Sequence, residues 1–268
     1  MNRIDQRFAE LKERGEKALI PFLTVGDPDL DTTVDIILRL EEAGADVIEL
    51  GVPYSDPLAD GPVIQRSSQR ALTHQVTILD CIRTASACRK RGSQLPFILF
   101  TYYNPVLQLG LDHFFETIAE HDISGLIIPD LPIEESGPVR ERAQAYQIHL
   151  IPLVAPTSRE RIQQITSQAA GFLYCVSSLG VTGTRSEFYD GLQAFVDSVK
   201  QATDLPVAIG FGISNREQAL QMASISDGVV VGSAIVRQIE EAMPLLSQAA
   251  TREEGLLQIR DFVRQLKA

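Results

Sequence analysis

The chain has 268 residues, 44% hydrophobic and 22% charged, the profile of a soluble globular protein with room for a large core. A net charge of -11 argues against nucleic acid or an anionic membrane surface as the main partner. No apolar run approaches the ~20 residues of a membrane span.

The charged start, Met1-Asn2-Arg3-Ile4-Asp5, has no apolar signal core and contains an acid that a transit peptide would avoid. The three cysteines, Cys81, Cys88 and Cys175, form no Cys-x-x-Cys pair and read as small core residues in a reducing compartment. The expectation is a cytoplasmic protein. An amphipathic helix over 2–14 precedes a first strand at 18–25, and the next helix, 31–43, stops at Gly44. A second strand spans 46–52, and helical pattern fills 62–91. Further strands fall at 96–102, 125–129, 149–154, 172–177, 206–210 and 227–231, with helical pattern between them and a last helix at 252–267.

Eight βα units in roughly 250 residues predict a single α/β domain, a (β/α)8 TIM barrel over 1–268 with an extra N-terminal helix. An open, doubly wound sheet of eight strands is the alternative. In a barrel, catalytic groups sit at the C-terminal ends of the strands. The second strand carries the clearest anomaly: Glu49 lies inside the apolar run Asp46-Val47-Ile48-Glu49-Leu50-Gly51-Val52. A buried carboxylate needs a partner or a purpose, so Glu49 reads as a structural ion pair or as a general acid/base with a raised pKa.

The same filter retains Thr24 and Asp27 after the first strand and Asp56 and Asp60 after the second. It also keeps Tyr102, Tyr103 and Asn104 after the third, Asp130 after the fourth and Tyr174 on the sixth. Asp56 and Asp60 each precede Pro or Gly and could serve only as turn or cap residues. Tyr102 and Tyr174 could be packing residues with a hydrogen-bonded tip. The five lysines, Lys12, Lys17, Lys90, Lys200 and Lys267, all fall on helices, at the chain end or before a strand, which disfavours Schiff-base chemistry and a covalently held pyridoxal phosphate. The four histidines, His74, His113, His121 and His149, have neither metal-ligand nor triad spacing, so carboxylates remain as the acid/base groups. Glycines follow the sixth, seventh and eighth strands, in Gly180-Val181-Thr182-Gly183, Gly210-Phe211-Gly212 and Gly232-Ser233-Ala234. They serve either tight βα turns or a phosphate site at a helix N-terminus.

Three segments carry a family resemblance: Pro21 to Pro28, Glu49 through Pro53-Tyr54-Ser55-Asp56-Pro57-Leu58-Ala59-Asp60-Gly61-Pro62, and Gly180-Val181-Thr182-Gly183. With Gly210 to Ile213 and Gly232 to Val236, they resemble the signatures of the tryptophan synthase alpha chain over nearly the whole sequence. The resemblance implies reversible retro-aldol cleavage of indole-3-glycerol phosphate to indole and glyceraldehyde 3-phosphate. It also implies no cofactor in this chain and a pyridoxal-phosphate beta chain that receives the indole for tryptophan biosynthesis in an αββα assembly. On the matching positions, Glu49 would shuttle the proton and Asp60 would hold the indole N–H. Phe22, Phe100, Ile127, Tyr174 and Phe211 would wall the ring. Gly183, Phe211, Gly212, Gly232 and Ser233 would present N–H groups to the phosphate, and Thr182 would tie its loop to the catalytic loop on closure. Two other readings share the site: a free-standing lyase that releases indole, and a non-catalytic sugar-phosphate-binding subunit.

Overall fold

The computed structural model describes residues 2–176, 191–210 and 212–267. Strand and helix alternate along it: α1 (Arg3–Arg14), β1 (Ala18–Thr24), α2 (Leu30–Glu42), β2 (Ile48–Gly51), α3 (Pro62–Thr73), α4 (Ile78–Lys90), β3 (Phe97–Phe100), α5 (Tyr103–Leu109), α6 (Leu111–Glu120) and β4 (Ile123–Ile127). There follow α7 (Gly137–Ala145), β5 (His149–Leu150), β6 (Leu153–Val154), α8 (Ile162–Thr166), β7 (Leu173–Val176), α9 (Leu192–Lys200), β8 (Val207–Gly210), α10 (Arg216–Ile225), β9 (Gly228–Val231), α11 (Ser233–Leu246) and α12 (Arg252–Leu266).

The strands pair in parallel in the order β5-β4-β3-β2-β1-β9-β8-β7-β6. The two ends of that order, β5 and β6, are pieces of one strand, the stretch expected at 149–154. Pro152 interrupts it because proline has no N–H to give the ladder. The interruption still bonds on both sides: Ile151 N–H donates to Leu126 O at 2.9 Å and Pro152 O accepts Tyr174 N–H at 3.2 Å. The sheet therefore closes into the expected barrel, and the open-sheet alternative falls.

The helical pattern over 62–91 resolves into two helices. Gln75 takes a positive φ of 56° after α3, and Thr77 and Asp80 form a reciprocal capping box that starts α4. Alternation along the strands sorts the core into two shells. Leu19, Leu23, Ile48, Leu50, Leu99 and Leu126 pack outward against the helices. Ile20, Phe22, Ile98, Phe100, Ile127 and Tyr174 belong to the inner cluster that fills the barrel. Helix α1 contributes Ile4, Phe8 and Leu11 to that inner cluster, with Phe8 5.4 Å from Phe172, so it stoppers the N-terminal end. Access to the barrel interior is therefore from the C-terminal end. All three cysteines are buried and free, as core residues should be. No helix among the described residues is long and apolar enough to cross a membrane.

Candidate active site

Glu49 sits in the middle of β2, in register with Phe22 of β1 on one side and Ile98 of β3 on the other. Its neighbours Ile48 and Leu50 face the outer shell, whereas Val47 belongs to the inner cluster, so alternation turns Glu49 into the barrel. It is 1% exposed, and its Oε1 has no hydrogen-bond partner among the described residues. No described cation pairs with Glu49, so among the described residues the ion-pair reading finds no support. Burial alone pushes its pKa up to about 8, so the carboxyl holds its proton at neutral pH.

Asp60 approaches from the loop after β2. The cap residue of α3 is Gly61, which makes no side-chain cap, and Pro62 opens the helix, so Asp60 is not spent on capping. Its side chain is buried and accepts a hydrogen bond from the Tyr102 hydroxyl at 3.1 Å. Burial raises its pKa to about 6 against the opposing effect of that hydrogen bond. Tyr102 also accepts the Ala59 N–H at 3.0 Å and stacks on Tyr54 at 4.9 Å between ring centroids. Asp56, by contrast, is exposed and, among the described residues, bonded only to Ser55. The loop acids that look alike in sequence are separated by one tyrosine. Leu58, on the same loop, is 82% exposed.

Glu49 and Asp60 share one pocket of about 460 Å³ with Phe22, Ile64, Phe100, Tyr174, Gly212, Ile213, Val230, Gly232 and Ser233. Phe22 and Phe100 meet edge to face at 5.5 Å. Two glycines give the rings their room: a Cβ at Gly51 would stand 2.5 Å from the Phe22 ring, and one at Gly210 would stand 2.3 Å from Tyr174. Burial raises the Tyr174 hydroxyl, and Glu49 adds to this when it is ionised, so the hydroxyl stays protonated. Ile127 pairs with Phe100 in the inner cluster but does not line the pocket. At the far side, α11 begins at Ser233 behind Gly232 with no side-chain cap and no acid in its first turn. No described side chain caps its first N–H groups, which can therefore meet an anion. Gly212, at φ 88°, adds a backbone turn that a branched residue would strain. Thr182, Gly183 and Phe211 lie outside the described residues.

The remaining rim candidates stand apart from the pocket. Asp130 accepts the Tyr103 N–H at 2.9 Å, and Asn104 reaches Tyr54 at 3.4 Å. Thr24 and Asp27 join β1 to α3, through Ser67 at 2.6 Å and through Arg70. No lysine lines the pocket, and no metal-holding cluster of His, Cys, Asp or Glu occurs among the described residues. A larger cavity, about 800 Å³, lies between α7 and α8 and has no carboxylate in its lining, so acid/base chemistry has no footing there. Sequence reasoning missed Ile64, Ile213 and Val230 as lining residues, because nothing in their local pattern distinguishes them from ordinary core.

Residues 8–267 match the family model described as tryptophan synthase alpha chain. The chain belongs to the tryptophan synthase alpha chain family. It is 54% identical over 252 residues to the alpha chain of Bacillus pumilus, covering 94% of each. Against that of Caldanaerobacter subterraneus it is 51% identical over 267 residues, covering 100% of this chain and 99% of the other. Among solved structures, the tryptophan synthase subunit alpha of Legionella pneumophila superposes with a TM-score of 0.89 at 36% identity, covering 99% of this chain and 97% of that one. Tryptophan synthase of Mycobacterium tuberculosis gives a TM-score of 0.87 at 36% identity, covering 99% and 96%. Family membership makes the chain a carbon–carbon lyase of tryptophan biosynthesis, acting on indole-3-glycerol phosphate. In this family the alpha chain has no cofactor of its own, and pyridoxal phosphate resides in the beta chain with which it assembles.

Proposed function

We propose that Glu49 and Asp60 divide the retro-aldol cleavage between them, with the phosphate anchored at the start of α11. The observation that carries this reading is that two buried carboxylates line one apolar pocket, where burial pushes the pKa of Glu49 up to about 8 and that of Asp60 to about 6. Two acids pushed apart by their surroundings supply an acid and a base at the same pH. At neutral pH Glu49 is protonated and donates to indole C3, while ionised Asp60 accepts the indole N–H and stabilises the positive charge that appears on that nitrogen. The Glu49 carboxylate then removes the proton of the hydroxyl on the carbon attached to C3. The C3–C bond breaks, its electrons return to the ring, and the aldehyde of glyceraldehyde 3-phosphate forms. Glu49 ends as it began, protonated, and no imine is required because the ring is the electron sink.

Phe22, Phe100 and Tyr174 hold the indole, and Gly212, Gly232 and Ser233 present the phosphate with N–H groups and a hydroxyl. Gly183 and Phe211 extend that cradle, Ile127 backs the ring wall through Phe100, and Thr182 ties its loop to the catalytic loop on closure. The exposed Leu58, carried on the same loop as Asp60, docks on the beta chain and so keeps the loop seated. The tetramer is αββα, and the whole works in the cytoplasm.

Steady-state cleavage of indole-3-glycerol phosphate tests this reading, with the chain alone and with a saturating beta chain. Slow turnover alone, activation by the beta chain, and loss of that activation in Leu58→Ala are expected. No turnover in either condition would sink the catalytic assignment, and full activity of the isolated chain would sink the docking one.

A further inference from the structure

Behind the pocket, four charged side chains form a chain of contacts that the catalytic reading leaves unused. Arg70 of α3 grips Asp27, in the turn after β1, with both arms of its fork: Nε to Oδ1 at 2.8 Å and Nη2 to Oδ2 at 2.8 Å. Its third nitrogen, Nη1, donates to Glu240 Oε1 at 2.7 Å. Arg66, one turn earlier on the same face of α3, holds Glu240 with Nε at 3.0 Å and Nη2 at 2.8 Å. Asp27 is 1% exposed. Two cations and two anions cancel, so the cluster has no spare charge to offer a ligand.

A buried ion pair is weak evidence of stability, since apolar packing could hold two helices equally well. What a bidentate fork supplies is direction and register. The two helices it joins are those that matter: α3 starts two residues after Asp60 and sends Ile64 into the pocket, and α11 starts at Ser233. A helix transmits displacement along its axis, so the stagger of α3 against α11 sets the span between Asp60 and the first N–H groups of α11 at Ser233. Those are the two ends of the substrate in the reading above.

We infer that Arg70 is a positioning residue, and that the Asp27–Arg70–Glu240–Arg66 clamp fixes the spacing between the phosphate cradle and Asp60, on which selection of a phosphate-bearing substrate depends. The inference rests on the phosphate and Asp60 assignments above. A substrate anchored at both ends depends on the span; one without a phosphate is anchored only at the indole and does not. Small misplacements at a reacting centre are costly in rate.

The test compares indole-3-glycerol phosphate with its unphosphorylated analogue, indoleglycerol, in wild type, Arg70→Lys and Glu240→Gln. Arg70→Lys keeps the charge and loses the fork; Glu240→Gln disturbs the more open half of the clamp and covers the case in which the first variant fails to fold. The preference in kcat/KM for the phosphorylated substrate should fall by about tenfold or more, mainly in kcat, while indoleglycerol turnover and the affinity for inorganic phosphate stay at wild-type values. Equal losses on both substrates, or none on either, would overturn the inference. Loss of inorganic phosphate affinity would overturn it too, by placing the damage in the cradle and not in the spacing. A wild type with no preference for the phosphorylated substrate would remove the phosphate reading itself and the clamp's role with it.

Discussion

Replacing Glu49 by glutamine should stabilise the protein, and should do so only above the pH at which the carboxyl of the unfolded chain loses its proton. Burial raises the folded pKa from 4.5 to about 8, and Oε1 has no compensating partner among the described residues. Between those values the folded state holds a proton that the unfolded chain has released, so stability falls as pH rises. The cost is absent below 4.5, grows through the interval and is constant above about 8. At about 1.4 kcal/mol per pH unit, the wild type loses at most about 3 kcal/mol between pH 5.5 and 8, a loss the neutral amide does not suffer. Water entry and relaxation around the carboxylate will reduce that figure. For a chain of this size each kcal/mol moves Tm by ~2–4 °C, so the gap between the two proteins should widen by up to roughly 6–12 °C over that range. Thermal unfolding followed by calorimetry at pH 5.5 and 8 measures it, alongside turnover, which should drop ~10²–10⁴-fold or more because the proton shuttle is gone. A gap that narrows with rising pH would show that Glu49 is stabilised as an anion, the behaviour of a structural ion pair, and would refute the reasoning. An unchanged gap with near-normal turnover would refute it equally.

The pH profile of kcat/KM should be bell-shaped, rising as Asp60 loses its proton near 6 and falling as Glu49 loses its proton near 8. A profile flat from pH 5 to 9 contradicts the assignment of acid and base. Asp60→Asn should remove the acid limb and lower kcat by ~10²-fold or more, since the ring charge loses its counterion. Asp56→Asn should change kcat less than about threefold, as an exposed turn acid should; equal damage from both would return Asp60 to a turn role. Gly212→Val should weaken inorganic phosphate and substrate alike, because the branched residue resists the positive φ and its side chain blocks the anion's approach. Equilibrium binding of inorganic phosphate measures this directly, and unchanged affinity places the anion elsewhere.

Glu49 was legible in the sequence because its anomaly is local: an acid in an apolar strand contradicts its own neighbours. The barrel was legible for a similar reason, since each βα unit announces itself within about thirty residues. Strand five misled because periodicity sees only apolarity, and 150–154 is apolar throughout; the missing N–H of Pro152 decides where the ladder breaks. The helical pattern over 62–91 holds as α3 and α4, but periodicity does not locate the turn between them, which rests on one residue at positive φ.

Asp60 and Asp56 could not be told apart by their surroundings in sequence, since both sit beside Pro or Gly in one loop. They are separated by Tyr102, 42 residues away, which reaches Asp60 only because β2 and β3 are neighbours in the barrel. The clamp was hidden more thoroughly still. Arg66 and Arg70, spaced one turn apart on a helix, have the pattern of a solvated face, and the partners of Arg70 lie 43 and 170 residues distant. A charge inside an apolar run declares a cost at once, whereas a charge on a helix face declares nothing until the fold supplies its partner. That asymmetry puts the proton-transfer chemistry within reach of the sequence and leaves the spacing of its parts to the closed barrel: α3 and α11 are far apart in the chain, and only closure of β1 against β9 sets Arg70 beside Glu240.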